Sequence, residues 1–247
     1  MMTGPQCPET EAQASGREEV SDKQMTVAAL RRKLAGLSAG PGAAPAVLPV
    51  PEPIAGLLPR RGLAPGSVVE VSGAASMPAA LLAAVSATGA TAALVGLPQL
   101  NLAVAADLGA QLDRIAVVDE PGVDRLEVAS VLLDGIDLVL VAVDSVTPSR
   151  ARVLTGRARR QSSTLMVVGP PGCWPGATVR IEAEVSGYRH VPARRSGYGR
   201  IGGLEMDVRI GGAGLAPRST RCALTENDRL VAVAAAGQPA VRLAVAN

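Results

Sequence analysis

The stretch DLVLVAVDSVTPSRARVLTGRARRQSSTLMVVG, residues 137–169, contains two apolar runs with a helix-like segment between them. The runs Asp137–Val143 and Thr164–Val168 are hydrophobic at consecutive positions, which is typical of strands covered on both faces. The segment Pro148–Gln161 has the length and spacing of a helix. Strands of this kind with helices between them predict a mainly parallel sheet flanked by helices.

The same alternation continues toward the N-terminus. We predict further strands at Ser67–Val71, Thr91–Val95 and Ile115–Val118. The segments between them predict helices at Pro78–Thr88, Leu102–Gly109 and Val123–Leu133. The fold class is therefore α/β.

Beyond GPPGCWPG (169–176) the helical patterns stop and strand-like segments follow. In VRIEAEV and LEMDVRI apolar residues alternate with charged ones, so these strands should expose one face to solvent. We expect an antiparallel extension at the C-terminus, with residues 225–247 forming a β-hairpin.

The N-terminal part lacks this pattern. Residues 1–22 are polar and predict a disordered tail. Residues 23–53 predict a short amphipathic helix over 26–37, with Val27, Leu30, Leu34 and Leu37 on one face, followed by a proline-rich linker. The prolines of that linker should exclude a helix or a central strand. The helix either packs on its own core or docks on a neighbouring subunit, so self-association stays open.

Composition limits the function classes. The chain has 48% hydrophobic residues, no Phe, one Trp and two Tyr, so Ala, Val and Leu should form the core and an aromatic platform for nucleic acid is not expected. Three cysteines without metal-ligand spacing favour a reduced compartment. Without a signal segment or an apolar run of about 20 residues, we expect a cytoplasmic protein that makes no membrane contact.

One strand-to-helix junction invites comparison with a nucleotide site. A phosphate loop has the pattern G-x-x-x-x-G-K-[ST], in which backbone amides, a lysine and a hydroxyl bind phosphates and Mg²⁺. In SVVEVSGAASMPAALLAAV, counting from Gly73, the second glycine is Pro78, the lysine is Ala79 and the hydroxyl residue is Ala80. The junction retains the shape of the motif without its chemistry.

The order of the elements resembles the ATPase core of RecA over about residues 55–224. GLAPGSVVEVSG resembles the segment leading into the RecA phosphate loop, and GIDLVLVAVDSV resembles its Walker B strand, with Asp144 and Ser145 in the matching places. The resemblance implies a RecA-like core over 54–224 without a functional phosphate loop, in which Gly73, Pro78, Ala79, Ala80 and Asp144 are vestigial. After TAALV and STLMVV, where RecA carries a glutamate and a glutamine, this chain has GLPQLN and GPPG. We therefore expect no catalytic residue, metal or cofactor.

A RecA-like domain without ATPase chemistry in a short Ala-rich chain is similar to the ImuA-prime proteins of actinobacterial mutagenesis cassettes. That resemblance implies a non-catalytic adaptor of damage-induced (SOS) translesion synthesis, recruited to the nucleoid on damaged DNA. Its implied partners are ImuB, an inactive Y-family polymerase homologue, and through it an error-prone C-family polymerase. SulA-like cell-division inhibitors share a reduced RecA-type fold and are the rival interpretation.

Arginines dominate residues 150–221, and a weak non-specific DNA contact or an acidic partner surface would use such a patch. A solvated helix face is the alternative. The candidate contact residues are Arg157, Arg159, Arg160, Arg194, Arg195 and Trp174.

Three side chains have two interpretations each. Trp174 is either an interface anchor or a packing residue. Asp144, without a lysine or hydroxyl partner, is expected to cap the turn after its strand rather than to hold Mg²⁺. His190 has no nucleophile arranged beside it, so a catalytic role is not expected.

Overall fold

The computed structural model describes residues 47–191, 200–225 and 230–232. The predicted tail (1–22), the predicted helix (26–37) and two candidate contact residues, Arg194 and Arg195, lie outside this range. No helix within the described residues is long and apolar enough to cross a bilayer.

Eleven strands and five α-helices make up the described part of the chain. The N-terminal elements are β1 (Leu48–Pro49), α1 (Glu52–Ala55), β2 (Gly62–Leu63), β3 (Val68–Gly73), α2 (Ser76–Ser86), β4 (Ala92–Val95) and α3 (Leu102–Asp107). A 3₁₀ turn (Leu112–Arg114) precedes β5 (Ile115–Val118), α4 (Arg125–Leu132), β6 (Leu138–Ala142), α5 (Pro148–Gln161) and β7 (Thr164–Val168). The C-terminal strands are β8 (Val179–Val191), β9 (Arg200–Gly212), β10 (Leu215–Thr225) and β11 (Leu230–Ala232).

Nine strands form one sheet in the order β11-β10-β9-β8-β3-β7-β6-β4-β5. The pairs from β8 to β5 are all parallel, whereas β9, β10 and β11 pair antiparallel. The predicted α/β class, with a mainly parallel sheet and an antiparallel C-terminal extension, is confirmed. Strand β11 pairs with β10, and the rest of the expected hairpin over 225–247 lies outside the described residues.

The linker prediction is wrong in its last residues. Glu52–Ala55 form a helix in which Pro53 occupies the first turn. A proline is compatible with that place because the first amides of a helix have no partner within it. Val50 and Ile54 are buried together in the main core, so the compact fold begins before residue 54.

The core lies on both sides of the parallel strands. One continuous apolar cluster joins α1, α2 and α3 to one sheet face, represented by Val69, Leu140 and Ile181. Helices α4 and α5 bury Leu126 and Leu154 outside that cluster. Most buried side chains of the sheet are Ala, Val or Leu, as the composition predicts, and Glu70, Thr164 and Met166 are among the exceptions.

The antiparallel extension has one buried face and one charged face. On β9, Met206, Val208 and Ile210 are at most 1% exposed, whereas the alternate Asp207 and Arg209 are not buried. Asp207 pairs across the strands with Arg221 of β10, with 2.7 Å between Nε and Oδ1. The solvated face predicted from alternation is confirmed.

Candidate functional site

A cavity of about 780 Å³ opens where the parallel strands end. The turns that follow β3, β4, β5, β6 and β7 all contribute to its lining, because carboxyl ends of parallel strands meet at one edge of a sheet. The lining includes Gly73, Pro78, Gly96, Asp144 and Gly169. This edge is the usual ligand site of open α/β folds.

The turn after β3 is too tight to be a phosphate loop. Gly73 has φ +89°, and a Cβ there would lie 2.0 Å from the carbonyl oxygen of Ala183, so the turn requires glycine. The Ala74 amide donates to that same oxygen at 2.7 Å, which fastens the turn to β8. Helix α2 begins at Ser76, two residues earlier than predicted. Only two residues separate strand and helix.

Early helix formation places the three altered positions of the motif inside α2. Pro78 is the third residue of the helix and offers no N–H to the cavity that it lines. Ala79 and Ala80 are 2% and 4% exposed, so the positions of the lysine and the hydroxyl residue are packed into the protein. The sequence misplaced the helix start because a proline is tolerated anywhere in the first turn, where its missing N–H breaks no helical hydrogen bond.

Other amides of the lining are also satisfied within the protein. Gly96 N–H donates to the Val118 carbonyl at 2.9 Å, and Gly169 N–H donates to the Val71 carbonyl at 3.2 Å. Beside the lining, Met77 N–H donates to the Ala74 carbonyl at 3.0 Å. Phosphate binding by backbone depends on unpaired amides, and these do not provide them.

Asp144 lies at the cavity, two residues after the end of β6, and is exposed. Among the described residues it has no hydrogen bond and no ion pair, so the expected capping of the following turn is not formed. No cluster of three metal-ligating side chains occurs in the described part of the chain. Asp144 is therefore a solvated carboxylate in the lining.

Three charged residues of the cavity were missed by the sequence analysis. Asp119 and Glu120 follow β5, and Arg125 begins α4. The Arg125 guanidinium donates to the Ala142 carbonyl at 3.4 Å, and none of the cavity carboxylates has an ion pair among the described residues. A signal was available, since Asp119 directly follows one predicted strand as Asp144 directly follows another. With three carboxylates and one guanidinium, the lining is net negative.

A buried carboxylate organises the loop beside the cavity. Glu70 of β3 is 1% exposed and accepts hydrogen bonds from the amides of Gly172 at 2.6 Å and Trp174 at 3.0 Å. The Nε atom of Arg180 lies 3.6 Å from Oε2 of Glu70. These contacts hold the loop 169–176 against the sheet.

Trp174 has no exposed surface in this arrangement, so the structure supports the packing interpretation. The prediction of Trp174 as a surface contact is wrong, because the loop folds over Glu70 and carries the indole inward. The overlooked signal was Glu70 itself, a lone carboxylate within the apolar run SVVEVSG that needs buried partners.

The cysteines of the described region are free and buried. Burial, together with the negative charge of Glu70, raises the pKa of the Cys173 thiol to about 11. Burial likewise raises the pKa of Cys222 to about 11. Nucleophilic cysteine chemistry requires a lowered pKa, so neither thiol is activated.

The candidate arginines of α5 differ in their surroundings. Arg157 donates from Nε to Asp134 at 3.0 Å, and this contact raises the pKa of its guanidinium. Arg159 and Arg160 lie exposed in the last turn without an ion pair in the described region. Only these two remain as free cations among the described contact candidates.

Comparison with known proteins places the chain in a family. Residues 56–176 match the family model of the MT3502 N-terminal domain, a range that includes the cavity turns and the Trp174 loop. The chain is 38% identical over 200 residues to the uncharacterized protein Rv3395c of Mycobacterium tuberculosis (strain ATCC 25618 / H37Rv). That alignment covers 78% of this chain and 92% of the relative. The chain therefore belongs to the MT3502 N-terminal domain family.

Proposed function

We propose that this protein is a non-catalytic, RecA-like adaptor of a damage-induced translesion mutagenesis complex of the ImuA-prime type. In this proposal it contacts an inactive Y-family polymerase homologue and, through it, an error-prone C-family polymerase. It acts in the cytoplasm and joins the nucleoid when the complex is recruited to damaged DNA.

The closed turn after β3 is the observation that carries the non-catalytic part of this proposal. ATP hydrolysis in a RecA-like site needs free loop amides, a lysine and a hydroxyl at the metal. Here the amide of Ala74 is bonded to β8, and Ala79 and Ala80 are buried. The charge of the cavity adds to this, because Asp119, Glu120 and Asp144 would repel a triphosphate.

The arrangement of the site supports the RecA-like assignment. The resemblance implies that the turn after β3, Asp144 and the turn after β7 surround one cavity, and residues from all three line it. A cavity with this geometry and without the side chains of ATP chemistry is consistent with a role in binding. Function then depends on partners.

Two measurements test the proposal. Titration calorimetry of the purified protein with ATP and Mg²⁺ should show no saturable heat. Magnesium-dependent hydrolysis that is abolished by Asp144→Ala would contradict the adaptor proposal. Affinity capture from DNA-damaged cells should recover the inactive Y-family homologue, and recovery of division proteins alone would favour the SulA-like alternative.

A non-specific DNA-binding module is the second candidate, and the free cations Arg159 and Arg160 favour it. Removal of one phosphate-binding cation makes the dependence of log K on log salt shallower by about 0.9. Replacement of both arginines by alanine should thus reduce the slope by roughly 2. Arg61→Ala is the matched control because Arg61 is exposed and already bonded to Glu52. Equal slopes in the double variant and the wild type would remove this candidate.

A further inference from the structure

The cavity has the volume of a small-molecule site. Its volume of about 780 Å³ lies within the range of roughly 300–1,000 Å³ that holds small molecules or several side chains. The described residues offer no three-ligand metal cluster. An occupant of the size of one or a few side chains fits this space.

The charge of the lining selects a cation. Asp119, Glu120 and Asp144 carry three negative charges without an ion pair in the described region, against the single charge of Arg125. Two amides of the lining, those of Gly96 and Gly169, are already bonded within the protein and do not attract an anion. A positively charged group is therefore favoured and an anion is opposed.

The remaining lining is apolar. Leu97, Pro98, Pro121 and Val168 supply hydrocarbon surface to the same cavity as the carboxylates. Arginine and lysine side chains combine an apolar stem with a charged head, and they pack the stem on apolar surface while the head meets carboxylates. A compact hydrophilic cation would contact the carboxylates of this lining but not its apolar surface.

We infer that the cavity is a docking site for an arginine or lysine side chain of a partner protein, bound where a nucleotide would otherwise sit. This inference rests on the proposed adaptor function, because it assumes a protein partner. The Arg125 guanidinium gives the site a second preference, for a partner segment whose other residues are neutral. It repels a second cation next to the docked one and can donate hydrogen bonds to carbonyl groups of the partner. The segment recognised is one with a single basic residue among neutral ones.

The experiment uses the full chain and a short capped peptide with one central arginine among glycines and alanines. The control peptide carries citrulline, which keeps the shape of arginine without its charge. Amide chemical shifts of Gly73, Gly96 and Gly169 report on the cavity. We expect saturable shifts for the arginine peptide and binding weaker by about tenfold or more for citrulline.

Matched variants locate the effect. Asp119→Asn with Glu120→Gln and Asp144→Asn should weaken the arginine peptide by about tenfold. Asp113→Asn with Glu127→Gln, which removes exposed carboxylates outside the lining, should leave its affinity unchanged. Equal binding of both peptides, or a loss of affinity only in the control variant, would overturn the inference.

Two further results separate this inference from the adaptor proposal. Spermidine binding at the cavity as tightly as the arginine peptide would overturn the inference in favour of a small polyamine. If the triple variant still captures the Y-family homologue from damaged cells, the adaptor function stands and the cavity is not its docking site. Loss of capture in the triple variant, with capture retained in the control variant, would support both the docking site and the adaptor proposal.

Discussion

Replacement of Glu70 by glutamine should loosen the loop that carries the only tryptophan of the chain. The carboxylate is 1% exposed and accepts from Gly172 N–H and Trp174 N–H at 2.6 and 3.0 Å. Glutamine retains one acceptor oxygen and turns the other position into a donor. One buried amide then faces a donor, and Arg180 loses its counter-ion.

The free energy of unfolding should fall by about 2–4 kcal/mol. A hydrogen bond to a charged acceptor contributes about 1.5–3 kcal/mol, and a buried donor left without a partner costs about 1–3 kcal/mol. The ion pair with Arg180 adds little to this, because the Arg180 side chain is 39% exposed and the atoms are 3.6 Å apart. The broken hydrogen bond therefore accounts for most of the decrease.

Urea unfolding followed by tryptophan fluorescence measures this effect, because Trp174 reports directly on the loop. Glu52→Gln is the control, since Glu52 and Arg61 form an exposed pair whose removal should cost under about 1 kcal/mol. If Glu70→Gln lowers stability no more than the control, Glu70 does not hold the loop.

Three further outcomes are expected. Gly73→Ala should lower the free energy of unfolding far more than Gly89→Ala. Both glycines have positive φ, but of the two only Gly73 would place a Cβ within 4 Å of other atoms. Equal decreases in the free energy of unfolding, measured by chemical denaturation, would contradict this. Cys173 and Cys222 should resist iodoacetamide at pH 8 until the protein unfolds, and rapid labelling of the native state would refute their burial. Because burial raises the pKa of both thiols to about 11, the free energy of unfolding should fall as the pH rises above 9. Arg157→Ala should cost about 0.5–1 kcal/mol at low salt and less at high salt, and a salt-independent decrease would show that its packing matters more.

Local patterns were sufficient for most of the helices and strands. The predicted ends of β5, β7 and α5 coincide with the observed ones, and the exposed face of β9 follows from its alternation. These features depend on the periodicity of neighbouring residues, which the sequence displays directly. That Ala79 and Ala80 carry no phosphate-binding side chain was also visible, because it requires only residue identity.

The amino-acid order alone was enough for the α/β class and for the composition of the core. The conformations of the turn after β3 and of the loop 169–176 depend instead on tertiary contacts. The turn before α2 is closed by the bond from Ala74 to Ala183, more than a hundred residues away, and Trp174 is buried because Glu70 accepts from its loop. The net negative cavity likewise exists only because the strand order places β4 between β5 and β6, so that the carboxylates following those two strands line one cavity. Contacts between residues far apart in the chain leave no periodic signal, so only the folded molecule could show them.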